Sequence, residues 1–185
     1  MKRILPWLSL AIILIATVFQ LHHQGRRWIC ACNRVLVWTS GAWTSENSQH
    51  WFDPYSFTHV LHGLALCGLL ALVLPRASIV SKFVIAVAAE SLWEIIENTN
   101  TVIDRYRETT AALGYQGDTV INSLGDVFAC SLGFWLAWRL GWRRSIVLFV
   151  IVEVVLLFWI RDSLLLEILM LIHPFNAIKD WQMAH

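Results

Sequence analysis

The sequence predicts an all-α protein: a polytopic transmembrane helix bundle of about five spans, followed by a C-terminal re-entrant or interfacial helix. Three observations predict it. Of the 185 residues, 57% are hydrophobic and only 15% are charged, whereas about a quarter of the residues of a typical soluble domain are charged. Five apolar runs approach or reach the length needed to cross a bilayer as helices. Many of the eleven tryptophans flank these runs, as is typical at the level of lipid headgroups.

The predicted spans cover most of the chain and leave room for a single integral membrane domain. The first follows a basic start and lacks a small-x-small cleavage site, so it is expected to remain uncleaved. Asp53–Pro54 precedes the second span and Pro75–Arg76 ends it. Residues 163–172 are too short to cross a bilayer and are interpreted as the re-entrant or interfacial helix. The five spans are expected near residues 4–21, 56–74, 79–97, 118–138 and 145–160.

Two connections are predicted to lie outside the bilayer. Residues 22–55 interleave arginines with tryptophans and are interpreted as a loop with an interfacial helix. A further span there is the less favoured alternative, because polar and charged residues interrupt it. Residues 98–117 are polar and end in glycines, which indicates a loop. Cys30 and Cys32 are expected as free thiols or as partners of another chain, since a disulfide between them closes a small ring.

Basic residues in the short connections set the expected orientation. With five spans, one side of the bilayer receives the N-terminus, the turn at 75–82 and the turn at 139–144. These segments carry seven Lys and Arg and no acidic residue. The N-terminus and short turns are therefore predicted to be cytoplasmic, with the long loops facing outward.

Ionisable residues recur along the predicted spans. A carboxylate near a helix centre costs roughly 2.5–3.5 kcal/mol on insertion scales, so partners, water or protonation must offset it. Their spacing places them on single helix faces, and the topology gathers them in the outer half of the membrane. Glu90 and Asp126 are expected roughly 10 Å deeper than the outer helix ends, from the rise of about 1.5 Å per residue. The candidate catalytic carboxylates are Glu94, Glu97, Asp118 and Asp126.

Other polar residues near the same level are candidate ligands. His59 and His62 lie one helical turn apart, and imidazole nitrogen with carboxylate oxygen suits Zn, Mn or Fe. The cofactor that this pattern suggests is a divalent metal held by the two histidines. The simpler interpretation is that these groups only hydrogen-bond with one another and fix helix register. Candidate substrate contacts, suited to an anionic lipid headgroup, are Arg105, Arg107, Arg161 and Asn122.

These patterns favour a membrane enzyme that hydrolyses or transfers a lipid or lipid-linked substrate at the outer leaflet. One alternative is a proton-coupled transporter in which Glu90, Asp126 and Glu153 form a relay. Another is a non-enzymatic protein of envelope assembly. Membrane lipids are the expected partners, while a net charge of +1 gives no electrostatic basis for nucleic-acid binding. No pattern in the sequence assigns an oligomeric state.

Two stretches carry a resemblance to a known family. WEIIENTNTVIDRYRETTAALGYQGDTVINSLGDVFACSLGF and IRDSLLLEILMLIHPFNAIKDWQ resemble a family of small bacterial multi-pass membrane proteins of unknown function. The likeness runs from about residue 51 to residue 182. It implies a location in the bacterial cell (inner) membrane and no established activity.

A looser resemblance is to VanZ-like membrane proteins. These place a His-bearing helix before a Glu-bearing helix, and then an Asp-x-x-x-Asn-x-x-Gly run. His62, Glu94 and residues 118–125 match this order. Since the additional Glu90 and Glu97 depart from the pattern, the resemblance serves only as a hint of topology.

Overall fold

The protein is all-helical in this computed structural model, which describes residues 4–112 and 114–184. Within those ranges no strand forms, and the nearest approach to one is an isolated bridge between Trp38 and Phe52. The basic residues Lys2 and Arg3, which contributed to the predicted orientation, lie outside the described residues. The helices in the described part of the chain are α1 (Leu5–His23), α2 (Ser56–Val73), α3 (Ile79–Glu97), α4 (Asn100–Thr109), α5 (Val120–Leu140), α6 (Trp142–Trp159), α7 (Leu164–Ile172) and α8 (Asn176–Met183).

The five long helices coincide with the five predicted apolar runs to within a few residues. The bounds of α3 are the predicted ones, and α2 ends one residue early. The start of α5 differs, because Thr119 is its N-cap and accepts a hydrogen bond from the backbone N–H of Asn122. Asp118 therefore precedes the helix rather than lying on it. Gly117, with φ of 84°, makes the turn that leads into this cap.

The prediction of an interfacial helix within 22–55 is wrong. Beyond the end of α1 this segment forms turns and irregular backbone, and part of it is held against the start of α5. The carbonyl of Arg27 accepts from the N–H of Val120 at 2.8 Å, and that of Ser48 accepts from Thr119 at 3.0 Å. These bonds satisfy backbone groups at the start of α5 that have no partner within the helix. Cys30 and Cys32 form a disulfide in this loop, with Cα atoms 5.1 Å apart, so the expectation of free thiols is also wrong.

The connection 98–117 contains a helix that the polar composition concealed. The side chain of Thr99 caps α4 by accepting from the N–H of Val102. Ile103 and Tyr106, three residues apart, are buried on its inner face, whereas Asp104 is exposed. This is the periodicity of a short amphipathic helix.

Among the described residues, three helices are long and apolar enough to cross a membrane: α1, α2 and α5. Helices α3 and α6 are of similar length, with 19 and 18 residues, but each carries more charged side chains than α1, α2 or α5. The total of five spans stays a prediction beyond these three. Helix α7 has nine residues, too few to cross a bilayer.

Close packing of α2 against α5 forms the centre of the bundle. A Cβ placed on Gly63 would lie 2.0 Å from the carbonyl oxygen of Cys130, and one on Gly133 would lie 2.1 Å from that of Val60. Only glycine permits backbones to approach this closely, as in helix pairs within membranes. The contact fixes the position of the polar residues on α2 relative to those on α5.

The outer faces of the helices are apolar. On α6, Val147 and Val150 are more than half exposed and Phe158 is 82% exposed. Helix α1 presents Trp7 and Ile15, each 69% exposed. Contiguous apolar surface of this kind indicates a membrane or partner contact rather than a water-facing surface.

Candidate functional site

Helices α2 and α3 bring two histidines onto one buried glutamate. The Nδ1 atom of His59 lies 2.6 Å from Oε1 of Glu90, and Nδ1 of His62 lies 3.0 Å from Oε2. Glu94, one turn further along α3, is fully buried and places Oε1 3.3 Å from Nδ1 of His59. Neither oxygen of Glu94 accepts a hydrogen bond. Two imidazoles and two carboxylates from neighbouring helices thus form one compact group.

Helix α5 supplies a third carboxylate to this group. Oδ2 of Asp126 lies 3.9 Å from Nε2 of His59, on the side of the imidazole away from Glu90. The hydroxyl of Ser56 donates to Oδ1 of Asp126 at 2.7 Å and holds it in place. We call His59, His62, Glu90, Glu94 and Asp126 the histidine–carboxylate cluster.

The positions along the helices explain why these side chains meet. The sequence predicts Glu90 and Asp126 about 10 Å deeper than the outer helix ends, and they lie seven and six residues inside α3 and α5. His59 and His62 lie three and six residues inside α2, so His62 is at a similar distance from its helix end.

A second polar group lies where α3 ends and α5 begins. The side-chain Nδ2 of Asn98 donates to Oδ2 of Asp118 at 2.8 Å, and the side-chain Oδ1 of Asn98 accepts from the backbone N–H of Asp118 at 2.7 Å. Tyr115 donates its hydroxyl to Oδ1 of Asp118 at 2.8 Å. Nearby, Tyr106 hydrogen-bonds Glu97, whose Oε2 atom is buried and has no hydrogen-bond partner.

A single cavity of about 400 Å³ connects the two groups. That volume lies within the range of small-molecule sites. Glu97 and Asp118 from the second group and His62 from the cluster all line it. No Lys or Arg is among the described residues that line it. The ionisable side chains on its wall are Tyr55, His59, His62, Glu90, Glu97, Tyr106, Tyr115, Asp118, Asp126, Asp162 and Glu167.

The cavity also reaches the outside of the bundle between α2 and α3. Ala65 on α2 and Ala89 on α3 line it and are exposed. Both alanines lie near the middle of their helices rather than at the ends. The neighbouring residues that line the cavity include the apolar Leu66, Ile168 and Leu171. Ile168, on α7, is 44% exposed.

The loop before α2 and the segment before α7 add acids that are buried outside the long helices. Burial raises the pKa of Asp53, against the lowering effect of the backbone N–H groups of Ser48 and Tyr55. Burial likewise raises the pKa of Asp162 to about 7, although the Ser163 N–H and the Tyr55 hydroxyl bind its carboxylate. These shifts follow from desolvation of the charged form.

The four predicted substrate contacts do not line the cavity. Arg105 donates to the carbonyl of Leu171 at 3.0 Å, and Arg161 to that of Trp181 at 3.0 Å. Arg107 binds the Tyr115 carbonyl and Asp104. Asn122 donates to the carbonyl of His50 at 2.8 Å and so ties the first loop to α5. Their contact with an anionic lipid stays a prediction.

The predicted catalytic and metal-binding residues do converge. Glu97, Asp118, Asp126, His59 and His62 all line the cavity. Glu94 lies just behind it, against His59. The roles assigned to these residues stay predictions, and the geometry shows only that they meet.

Glu90 is the residue that the prediction of site residues left out. It binds both histidines and lies at the centre of the cluster. A signal for it exists in the sequence, because α2 and α3 form a hairpin around the turn near Arg76. His62 and Glu90 lie at equal distances in sequence from that turn, which places them side by side.

Comparison with known proteins gives a family without an assigned activity. The family model described as "Protein of unknown function (DUF2585)" matches residues 21–184. A UPF0314 protein of Sphingopyxis alaskensis is 40% identical over 176 residues, covering 95% of this chain and 94% of the relative. A UPF0314 protein of Paracoccus denitrificans is 40% identical over 183 residues, covering 99% and 95%. No solved structure matches the chain.

Proposed function

Because the chain belongs to the DUF2585 family, whose function is unknown, we propose its activity from the cavity: it is an integral-membrane hydrolase or transferase acting on an ester or phosphoester of a lipid. One observation carries the proposal. Acids and histidines line a cavity that also opens between α2 and α3, on helix faces that carry exposed apolar residues. A substrate with a polar ester and an alkyl chain fits both parts at once.

The opening favours a lipid over a soluble substrate. Ala65 lies midway along α2, a helix apolar enough to cross a membrane. When α2 spans the bilayer, this opening faces lipid chains rather than water. A lipid can then enter sideways without leaving the hydrocarbon layer, which would cost about 0.8 kcal/mol for each CH₂ group brought into water.

Glu97 is the side chain best placed to move a proton. It faces the cavity, and its Oε2 atom is buried with no hydrogen-bond partner. In hydrolysis, water adds to the ester carbon or phosphorus, its proton passes to Glu97, and Glu97 returns a proton to the departing oxygen. The products are an acid and an alcohol. In transfer, the hydroxyl of an acceptor takes the place of water.

Membrane topology forms part of the proposal. We assign five spans to α1, α2, α3, α5 and α6, with the turns near Arg76 and Arg143 in the cytoplasm because of their positive charge. This puts the histidine–carboxylate cluster in the outer half of a bacterial inner membrane. Reporter fusions at Arg76 and Arg143 test it, since both should report cytoplasm, and an external signal from either would contradict the assignment.

The transporter alternative has less support. Its relay requires polar groups from the cluster to the cytoplasmic turns. On that side of the cluster, Leu70, Ala86 and Phe134 pack together as a buried apolar group between α2, α3 and α5. Glu153, the third member of the predicted relay, does not line the cavity and accepts instead from the N–H of Leu165.

Isotope labelling tests the enzymatic proposal directly. The protein is placed in nanodiscs of total lipid from Paracoccus denitrificans, which carries one of the relatives, in H₂¹⁸O, and the lipids are analysed by mass spectrometry. We expect a lipid product that depends on the wild-type protein and is lost in Glu97→Gln. Hydrolysis places one ¹⁸O atom in the product acid, whereas transfer places none.

A matched variant provides the control. Glu108→Gln removes an exposed glutamate from α4 and should leave product formation unchanged. A lipid profile that is the same with the wild-type protein, with Glu97→Gln and without protein would refute the proposal.

A further inference from the structure

We propose that His59, His62, Glu90 and Glu94 bind one divalent transition-metal ion. The inference rests on the proposed function for its role, since the metal would activate the attacking water, but the site itself is argued from the ligand atoms.

The spacing of the ligand atoms carries the first step. Metal bonds to His nitrogen and carboxylate oxygen are about 2.0–2.2 Å long, so neighbouring ligand atoms on one ion lie about 2.9–3.5 Å apart. The separations are 3.0 Å from His62 to Glu90 and 3.3 Å from His59 to Glu94. The contact of 2.6 Å between His59 and Glu90 is a direct hydrogen bond, which an ion between the two atoms would replace.

Glu94 provides the second, independent observation. Its side chain is fully buried, and both carboxylate oxygens lack a hydrogen-bond donor. Nδ1 of His59 is close to it, but the hydrogen bond from that nitrogen goes to Glu90. Leaving a buried carboxylate without donors is costly, and a cation bound to its oxygens removes this cost.

Charge balance points the same way. Glu90, Glu97, Asp118 and Asp126 line the cavity together with two histidines, and none of the described lining residues is Lys or Arg. Carboxylates at such density remain charged only beside cations. A divalent ion at the histidines supplies two positive charges where ligand atoms of His59, His62 and Glu90 lie within 4.8 Å of one another, with Glu94 3.3 Å from His59.

The surroundings of the ligands suit a reactive ion. Nε2 of His59 faces Asp126, which Ser56 holds by a hydrogen bond of 2.7 Å. Carboxylates behind metal-bound histidines commonly orient the ring and raise its basicity. His62 is only half-buried and faces the cavity, so a coordination position remains accessible to water. Nitrogen and oxygen donors of this kind favour Zn²⁺ or Mn²⁺ over a soft ion.

Metal titration of the purified full-length protein tests the inference without any substrate. After chelator treatment, Zn²⁺ binding is measured by calorimetry and Co²⁺ binding by its visible absorption. We expect one ion per chain in the wild-type protein, loss of stoichiometric binding in His62→Ala and Glu94→Gln, and a 10–100-fold weaker affinity in Asp126→Asn. His173→Ala removes an exposed imidazole and should bind as the wild type does.

The outcomes separate this inference from the proposed function. Glu94→Gln preserves size and shape, so it tests the site even if His62→Ala does not fold. No binding to the wild-type protein, or binding unchanged in both variants, would overturn the metal site while the lipid product remains measurable. Metal binding without a lipid product would overturn the activity and leave the site standing.

Discussion

Substituting alanine for Gly63 tests whether the contact between α2 and α5 holds the site together. A Cβ at this position would lie 2.0 Å from the carbonyl oxygen of Cys130 and 2.6 Å from the backbone nitrogen of Phe134. Both atoms belong to backbone, which cannot rotate away. To restore contacts of 3.4 Å or more, α2 and α5 must separate by roughly 1 Å, an overpacking displacement.

The expected change in the free energy of unfolding follows from two opposing effects. Overpacking costs about 1–3 kcal/mol, and the upper end applies where backbone is the obstacle. Replacing glycine with alanine inside a helix gains about 1 kcal/mol. Gly68 lies on the same helix, and a Cβ there would meet nothing within 4 Å, so Gly68→Ala shows the gain alone. The two variants should therefore differ by about 1–3 kcal/mol in free energy of unfolding, with Gly63→Ala the less stable.

The assay is reversible unfolding from mild detergent micelles with increasing sodium dodecyl sulfate, followed by circular dichroism. Gly63→Ala should unfold at a lower mole fraction of sodium dodecyl sulfate than the wild type, and Gly68→Ala at an equal or higher one. Because His62 is adjacent to Gly63, we also expect weaker metal binding in Gly63→Ala alone. Equal stability of the two variants would refute the inferred close approach of α2 and α5.

Two further predictions concern buried polar groups outside the long helices. The pKa of Asp162 is raised from 3.8 to about 7, so the folded state favours the protonated carboxyl group. The contribution of this group to the free energy of unfolding is complete below about pH 4, falls as the pH rises to about 7, and changes no further above that. Asp162→Asn should remove this loss of stability, which amounts to at most about 4 kcal/mol at 1.36 kcal/mol per pKa unit. Thermal unfolding of the wild type and the variant between pH 4 and pH 8 checks this. A constant difference in stability between the two proteins over that range would contradict it. Asn98→Ala should destabilise the protein by about 1–3 kcal/mol, because it leaves the carboxylate and N–H of Asp118 without their buried partner, and an unchanged unfolding midpoint would count against that network.

Hydropathy predicted the long helices because their apolar residues form continuous runs. It missed α4, where the decisive signals are local: the cap at Thr99 and the inward spacing of Ile103 and Tyr106. It also placed a helix within 22–55, where hydrogen bonds to α5 determine an irregular backbone. Local capping and tertiary contacts, rather than average composition, decide the structure of these connections.

The site was predictable as a meeting of acids and histidines, but not in its details. Helix periodicity and topology brought His59, His62 and Asp126 together. The central position of Glu90 depends on the register of the hairpin between α2 and α3, which apolar composition does not specify. The opening at Ala65 and Ala89 depends on two small side chains facing the same gap, and alanine carries no distinguishing signal in an apolar helix.

The central claim, that a lipid chain reaches the buried acids and histidines from the side, is tested most directly by photo-crosslinking. The probe is a phospholipid with a diazirine near the end of one acyl chain, in nanodiscs with the protein, followed by mass spectrometry of labelled peptides. We expect labelling at Leu66 and Trp93, which line the cavity, and a marked loss of this labelling in Ala65→Trp. Ala71→Trp, at an exposed position on α2 outside the cavity lining, should be labelled as the wild type is. Labelling confined to the outer faces of the helices, and equal in the two variants, would contradict the account.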